Sequence, residues 1–248
     1  MKKIAIIIPS RLSAERLPNK PLKLINNKEM ILHVYDIAKT SNIGQVIVAT
    51  PDKEIFDLIK THNGQAILTS DKHQTGTDRV FEVFESELKS KPEIIINFQG
   101  DMPNLKPDAI KELALHMKKN LCDISTLASH IENKLEEKDP NVVKVLTSEK
   151  IVNKTFSQAL DFFRTSNKTL NETTYHHVGI YAFTNKALIR YVSLKRSKLE
   201  IERKLEQMRA LENEMKIDVG YIDSCPLSVD TEADLKAVKK IMGKNEQN

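Results

Sequence analysis

Residues 9–22 of this sequence, Pro9-Ser10-Arg11-Leu12-Ser13-Ala14-Glu15-Arg16-Leu17-Pro18-Asn19-Lys20-Pro21-Leu22, set Arg11, Arg16 and Lys20 against a single acid, Glu15. Cations at that density suit a small polyanion such as a triphosphate, which arginine meets as a two-pronged donor and lysine as a point charge. The glycines and GK[ST] ending of a P-loop are missing, as is the GxGxxG of a dinucleotide turn, so side chains rather than backbone amides would have to neutralise the phosphates. A solvated surface loop has the same composition, and spacing alone leaves both readings open.

Two further loops carry candidates. His73-Gln74-Thr75-Gly76-Thr77-Asp78-Arg79 offers amide and hydroxyl groups for the edge of a nucleobase, with Gly76 allowing close backbone approach and Thr77 expected to cap a following helix. A tight turn with a good N-cap accounts for the same residues. Asn97-Phe98-Gln99-Gly100-Asp101-Met102-Pro103 makes Asp101 the best-placed metal ligand. Magnesium in phosphoryl-transfer sites takes one or two carboxylates and completes its octahedron with water and phosphate oxygen. An Asx turn before Pro103 is the local alternative.

Asp230, after the strand-like residues 226–229, is a second carboxylate whose default role is to assist a helix start beside Thr231. His176 and His177 are adjacent, so on a strand they face opposite sides and at most one faces a site. Glu206, Gln207 and Arg209 fall on a predicted helix, where Glu206 and Arg209, three apart, are placed to pair with each other or to bind a ligand.

Something must hold these loops, and the apolar pattern says what. Continuous isoleucine- and valine-rich runs at 4–8, 45–49 and 93–98 read as strands buried on both faces. Helical spacing occupies 30–39, 53–61, 78–88 and 107–119 between them. That alternation predicts an α/β fold, a mostly parallel central sheet flanked by helices, with ligands outside the carboxyl ends of the strands. The loops after Ile8, Leu68 and Phe98 are therefore the places to expect chemistry. The second half is less regular: strands at 142–146, 178–183 and 217–222, a polar stretch at 164–174 that is loop, lid or insertion, a strong helix at 199–213, and a closing helix at 231–242 with Thr231 and Asp234 as a capping box. No internal repeat or low-complexity linker divides the chain, so the expectation is one domain over 1–248 with a smaller, irregular insertion at about 129–222.

Composition excludes several classes. Of 248 residues, 40% are hydrophobic and 29% charged, which argues against a disordered or fibrous chain. The net charge of +4 is too small to imply nucleic acid, and 5% aromatics without tryptophan give no interleaved stacking platform. Cys122 and Cys225, far apart and outside any CxxC spacing, suggest neither a disulfide framework nor structural zinc, and fit a reducing compartment. The apolar run at 4–8 ends at Pro9, too short for a signal peptide, and no run approaches the roughly 20 residues of a membrane span, so the expected location is cytoplasmic.

Six segments taken together resemble the 3-deoxy-manno-octulosonate (Kdo) cytidylyltransferases, or CMP-Kdo synthetases, over nearly the whole chain. They are IIPSRLSAERLPNKPL at 7–22, HQTGTDR at 73–79, NFQGDMP at 97–103, HHVGIYAF at 176–183, LEQMRALENEMKI at 205–217 and SVDTEADL at 228–235. The resemblance implies a nucleotide-diphospho-sugar-transferase fold, transfer of CMP from CTP to the anomeric hydroxyl of Kdo for lipopolysaccharide synthesis, Mg2+ as cofactor and a homodimer, with the insertion at about 129–222 serving sugar binding and dimerisation. It also implies roles. Lys20, Asp101 and Asp230 become catalytic, with the two aspartates on the metal; Pro9, Ser10, Arg11, Arg16, Lys20, Gln74, Thr75, Gly76 and Gln99 hold the nucleotide; His177, Tyr181, Glu206, Gln207 and Arg209 form the sugar side. Met102 stands where many relatives carry an acid, Glu15 where a small hydroxyl residue is usual, and Gln158 where the family more often has an arginine. The alternatives are a CMP-sugar synthetase for 8-amino-Kdo or a sialic-acid-like sugar, or a catalytically silent nucleotide-binding module.

Overall fold

The isoleucine runs do become strands. A computed structural model describes residues 3–13, 16–88, 91–119, 121–152, 155–165 and 170–245, so Glu15 and residues 166–169 of the 164–174 stretch lie outside the described residues. The chain divides into two compact units, Met1–Lys111 with Pro226–Asn248, and Glu112–Cys225. The sequence boundaries of about 129–222 fall inside the second unit, because the strand that ends at Ser129 pairs with its neighbours there.

In the first unit, β1 (Ile4–Pro9) is buried along its whole length, as a strand covered on both faces must be. A hairpin of β2 (Leu24–Ile25) and β3 (Lys28–Glu29) turns on Asn26 and Asn27, whose φ values of 48° and 63° are those a two-residue hairpin needs. Then come α1 (Met30–Ser41), β4 (Gln45–Thr50), α2 (Lys53–Thr61), β5 (Ala66–Leu68), α3 (Gly76–Glu82), β6 (Ile94–Phe98) and α4 (Pro107–Lys118), within which the division between units falls. The strands pair in parallel in the order β5-β4-β1-β6. This is the expected parallel sheet, and its carboxyl edge carries Ser10, Thr69 and Gln99 into the three loops.

The segment after Pro226 returns to this unit. Val229, Leu235 and Val238 pack with Leu17, Ile25 and Met30 in one buried cluster. Residues 226–229, expected as a strand, form none: Leu227 N–H donates to the Asn104 side chain at 3.0 Å and Val229 N–H to the Asp101 carbonyl at 2.9 Å, so side-chain and single main-chain bonds replace a ladder. The C-terminal helix Glu232–Asn245 starts as predicted, with Asp234 N–H donating to Thr231 Oγ1 at 3.2 Å and Thr231 N–H to Asp234 Oδ2 at 2.8 Å.

The second unit is more regular than its sequence suggests. It runs through β7 (Ile124–Ser129), α5 (Lys134–Lys138), β8 (Lys144–Thr147), β9 (Phe156–Phe163), β10 (Thr174–Thr184), α6 (Asn185–Ser193), α7 (Lys198–Arg203), α8 (Gln207–Glu212) and β11 (Ile217–Tyr221). Strands in the order β10-β7-β11-β9-β8 close on themselves through a β8–β10 pairing, and only β7–β11 is parallel. Gly220 of β11 is needed for close approach, since a Cβ there would lie 2.5 Å from the Phe156 ring of β9. The single helix expected at 199–213 is two, broken at Lys204, whose φ of 54° ends α7 in the left-handed region. Among the described residues no helix is long and apolar enough to cross a membrane.

Candidate active site

Folding brings four predicted residues of the first unit to one place. Lys20 Nζ lies 3.2 Å from Asp101 Oδ2 and 3.1 Å from Asp230 Oδ1, and the Arg16 guanidinium lies 3.0 Å from Asp230 Oδ2. Local structure explains each placement. Lys20 opens a 3-10 turn, Lys20–Leu22, preceded by Asn19 with φ 55° and stiffened by Pro21. Leu17, between the two cations, is anchored in the apolar cluster that also holds Val229, next to Asp230. Asp101 is tied in by its carbonyl, which accepts the Val229 N–H. Burial alone would lower the Lys20 pKa, but the charges of Asp101 and Asp230 and hydrogen bonds to both outweigh it and hold the pKa above the ordinary value. Lys20 is thus an ammonium throughout the physiological range.

The rest of the cationic loop opens outward. Arg11 is exposed, and Leu12 N–H donates to Asp52 Oδ2 at 2.8 Å, fixing the chain where it leaves β1. The Ser10 hydroxyl is buried and, among the described residues, has no hydrogen-bond partner. A buried polar group in that state calls for a ligand or water.

In the second loop the helix cap is Thr75, not Thr77. Thr75 Oγ1 accepts from Asp78 N–H at 3.2 Å while Thr75 N–H donates to Asp78 Oδ2 at 3.3 Å, and Thr77 sits inside α3 taking a bond from Asn97 Nδ2 at 3.2 Å. The Thr-x-x-Asp spacing carried that signal. Arg79 pins the loop from below through the Thr69 hydroxyl and the Ser70 carbonyl. A Cβ on Gly76 would come within 3.3 Å of the Pro9 ring and 3.5 Å of the Gln99 amide, so Pro9, Gly76 and Gln99 are neighbours as expected. Gln99 Nε2 in turn donates to Asn97 Oδ1 at 3.1 Å, which aims its amide.

The sugar-side candidates lie in the second unit. His177 and Tyr181 are on β10 across an irregularity between Val178 and Tyr181, where the register with β7 shifts past Gly179 and Ile180. Their rings are 5.4 Å apart, and Phe162 meets His177 edge-on at 5.1 Å. Thr126 Oγ1 lies 2.8 Å from the Ile180 carbonyl, 3.1 Å from that of Val178 and 2.9 Å from His177 Nε2. Its one proton goes to a carbonyl, so its oxygen accepts from Nε2–H and leaves Nδ1 as the lone-pair nitrogen. Burial and the Glu206 carboxylate push the Tyr181 phenol well up, which also brings Glu206 within electrostatic reach of Tyr181. Gln207 is buried at the start of α8. Arg209 is paired with Glu200: Nε and one terminal nitrogen bond to the two Glu200 oxygens at 2.8 and 2.6 Å, and the guanidinium lies 4.6 Å over the Tyr191 ring. His176 faces the other way, bonded to Glu136.

Comparisons with known proteins bear on this arrangement. A family model described as "Cytidylyltransferase" matches residues 5–217. A 3-deoxy-manno-octulosonate cytidylyltransferase of Bradyrhizobium sp. is 40% identical over 243 residues, covering 98% of each chain. The chain belongs to the 3-deoxy-manno-octulosonate cytidylyltransferase family. The solved structure of a CMP:2-keto-3-deoxy-manno-octonic acid synthetase complexed with CTP is similar with a TM-score of 0.88 at 33% identity, covering 98% of this chain and 99% of that one. A 4-diphosphocytidyl-2C-methyl-D-erythritol synthase from Anaerococcus prevotii, 13% identical with a TM-score of 0.68 over 98% of this chain and 99% of its own, shares the fold alone.

Two features of this cytidylyltransferase escaped sequence reasoning. Among the described residues, the one trio of ligand-type side chains is His116, Cys122 and Asp218. His116 Nε2 is 2.8 Å from Asp218 Oδ2, its ring stacks on Phe156 at 3.7 Å, and burial beside Asp218 pushes the Cys122 thiol up to about 12, so the trio reads as a hydrogen-bonded packing cluster. Burial likewise pushes Cys225 up to about 11. With so little thiolate, both cysteines of the native protein are expected to react with iodoacetamide at pH 8 at least about 100-fold more slowly than in denaturant. Mass spectrometry of timed samples measures this; equal rates would contradict the burial.

The second is the burial of His177, itself a sugar-side candidate. Burial, with a smaller contribution from His176, lowers its pKa to about 3, against 6.5 for an unhindered imidazole. Between those values the unfolded state binds the extra proton, so stability rises with pH across that window and is fully present only above about 6.5. The penalty on acidification to pH 3 is on the order of 4 kcal/mol. Urea unfolding of the wild type and His177→Asn at pH 7 and pH 5 is expected to show a steeper acid loss in the wild type. Parallel losses would place His177 in water.

Proposed function

We propose that this protein transfers CMP from CTP to the anomeric hydroxyl of 3-deoxy-D-manno-octulosonate, releasing pyrophosphate, as a Mg2+-dependent cytoplasmic homodimer that supplies lipopolysaccharide synthesis. The observation that carries the mechanism is the convergence of Lys20, Arg16, Asp101 and Asp230 in a chain of this family. The donor set fits magnesium. Two carboxylate oxygens lie 3.1 and 3.2 Å from one ammonium, so they converge on a point that a hard cation would share. Bound there, Mg2+ would supply charge neutralisation at the α-phosphate and acidify the attacking hydroxyl.

The chain's own groups do the rest. Arg11, Arg16 and Lys20 neutralise the triphosphate and the charge that passes to the leaving pyrophosphate. Ser10 finds in the nucleotide the partner its buried hydroxyl lacks. Pro9 and Gly76 offer a close wall for the cytosine ring, with the Gln99 amide held for its polar edge and Gln74 and Thr75 contributed by the same loop as Gly76. On the sugar side Tyr181 stays protonated and His177 neutral, donors and acceptors for hydroxyl groups rather than charges. Glu206 and Gln207 add polar contacts there, and Arg209 acts chiefly by fixing α8 through Glu200. No covalent enzyme intermediate is required.

Pyrophosphate release from CTP, with Kdo, 8-amino-Kdo or a sialic acid, in Mg2+ or in EDTA, tests this. Metal-dependent turnover with Kdo is the expected result. Turnover with another sugar only would correct the substrate, and CTP-dependent release with none would overturn the enzymatic reading.

A further inference from the structure

The two aspartates assigned to magnesium already share a cation. Lys20 Nζ spends two of its three donors on them, at 3.2 and 3.1 Å, and Arg16 takes the remaining Asp230 oxygen at 3.0 Å. Only 16% of the Lys20 side chain is exposed, against 59% for Arg16, so the lysine lies within the cluster and the arginine at its rim. A dication arriving at the same oxygens meets a fixed positive charge only a few ångströms away, and the two repel at the effective dielectric of a protein surface. The backbone of Lys20 is held by its 3-10 turn, while its four-carbon stem has several rotatable bonds, so the ammonium can leave the aspartates by side-chain rotation without moving that turn.

We propose, on the reading of Asp101 and Asp230 as metal ligands, that Lys20 is a placeholder cation: it holds the two carboxylates together, resists divalent metal in the nucleotide-free protein, and cedes them when a nucleoside triphosphate draws its ammonium onto phosphate. The nucleotide thereby completes the metal site twice, by adding phosphate oxygens and by removing the competing charge. Metal and nucleotide then bind with positive coupling, and linkage requires that each strengthen the other equally. The arrangement also keeps the two carboxylates, whose like charges would otherwise repel, in place for the metal.

The test is Mn2+ binding to nucleotide-free protein, followed by the loss of the free-ion electron paramagnetic resonance signal and by calorimetry. Lys20→Met and Lys20→Gln are expected to bind Mn2+ at least about tenfold more tightly than the wild type, as removal of one charge at this range implies. Lys20→Arg, which keeps the charge, is expected to stay as weak as the wild type, and Asp101→Asn added to Lys20→Met to abolish the gain. Folded Met and Gln variants that bind Mn2+ no more tightly than the wild type, while the wild type with CTP binds it and loses it on Asp101→Asn, would overturn the placeholder role and leave the metal reading intact. Binding with CTP that ignores Asp101→Asn would instead remove the metal from this pair, and the placeholder with it.

Discussion

Asp101→Asn is expected to lower CMP transfer by roughly 10^3-fold, the scale seen when a group that stabilises transition-state charge is removed, while leaving the fold intact. The substitution keeps the side chain's shape and the main-chain bond by which the Asp101 carbonyl accepts the Val229 N–H at 2.9 Å. What it removes is one of the two carboxylates that converge on Lys20. On the proposed magnesium reading, an ion that draws only one or two protein oxygens would have no reserve ligand, so the loss would fall on the metal and hence on the transition state. CTP binding should survive better than turnover, because Arg11, Arg16 and Lys20 remain to meet the triphosphate. Pyrophosphate release compared with CTP titration separates the two effects. Residual turnover above a tenth of wild type would exclude Asp101 from the metal.

The contrast between the halves of the chain shows what a sequence can carry. The runs at 4–8, 45–49 and 93–98 were legible because strands buried on both faces are continuously apolar, and all three lie in the parallel sheet. The strands of the second unit send weaker signals: β9 alternates buried and exposed positions, and β10 is interrupted between Val178 and Tyr181. The break at Lys204 was invisible because a lysine in the left-handed region looks like any helical lysine, where a glycine would have marked it. Residues 226–229 looked like a strand by composition, yet their bonds go to Asn104 and Asp101. In the site itself, each aspartate was recognisable as a candidate, but Lys20 is 81 residues from Asp101 and 210 from Asp230, and no local pattern brings them together. Only the resemblance to a family did so.

The Glu200–Arg209 pair illustrates the same limit and carries the largest expected effect on stability. The two residues are nine apart on separate short helices, outside the three- and four-residue spacings that pair charges along one helix, so the sequence offered Arg209 only Glu206 or a ligand as partners. The Glu200 side chain is 0% exposed and that of Arg209 4%, with a two-pronged contact at 2.6 and 2.8 Å, and Arg196 adds a third bond at 3.1 Å. Burial would raise the Glu200 pKa, but hydrogen bonds and charge from Arg209 outweigh it and hold it below the usual value. The pair's contribution is therefore present above the unfolded carboxylate pKa and lost only as pH falls through the lower folded value, so it is complete at neutrality. Glu200→Ala strands a buried guanidinium and is expected to cost about 3–5 kcal/mol. At this chain length that is a fall in Tm of roughly 10 °C. Calorimetry at pH 7 measures it, with Glu200→Ala/Arg209→Met as the partner experiment. Removing both charges should recover a substantial part of the loss, because a buried cation deprived of its two-pronged carboxylate, rather than the missing contact, is what destabilises the single variant. A single-variant cost below about 1 kcal/mol would mean that water reaches Arg209, and α8 would then lack the anchor that holds Glu206 and Gln207 in register with β10.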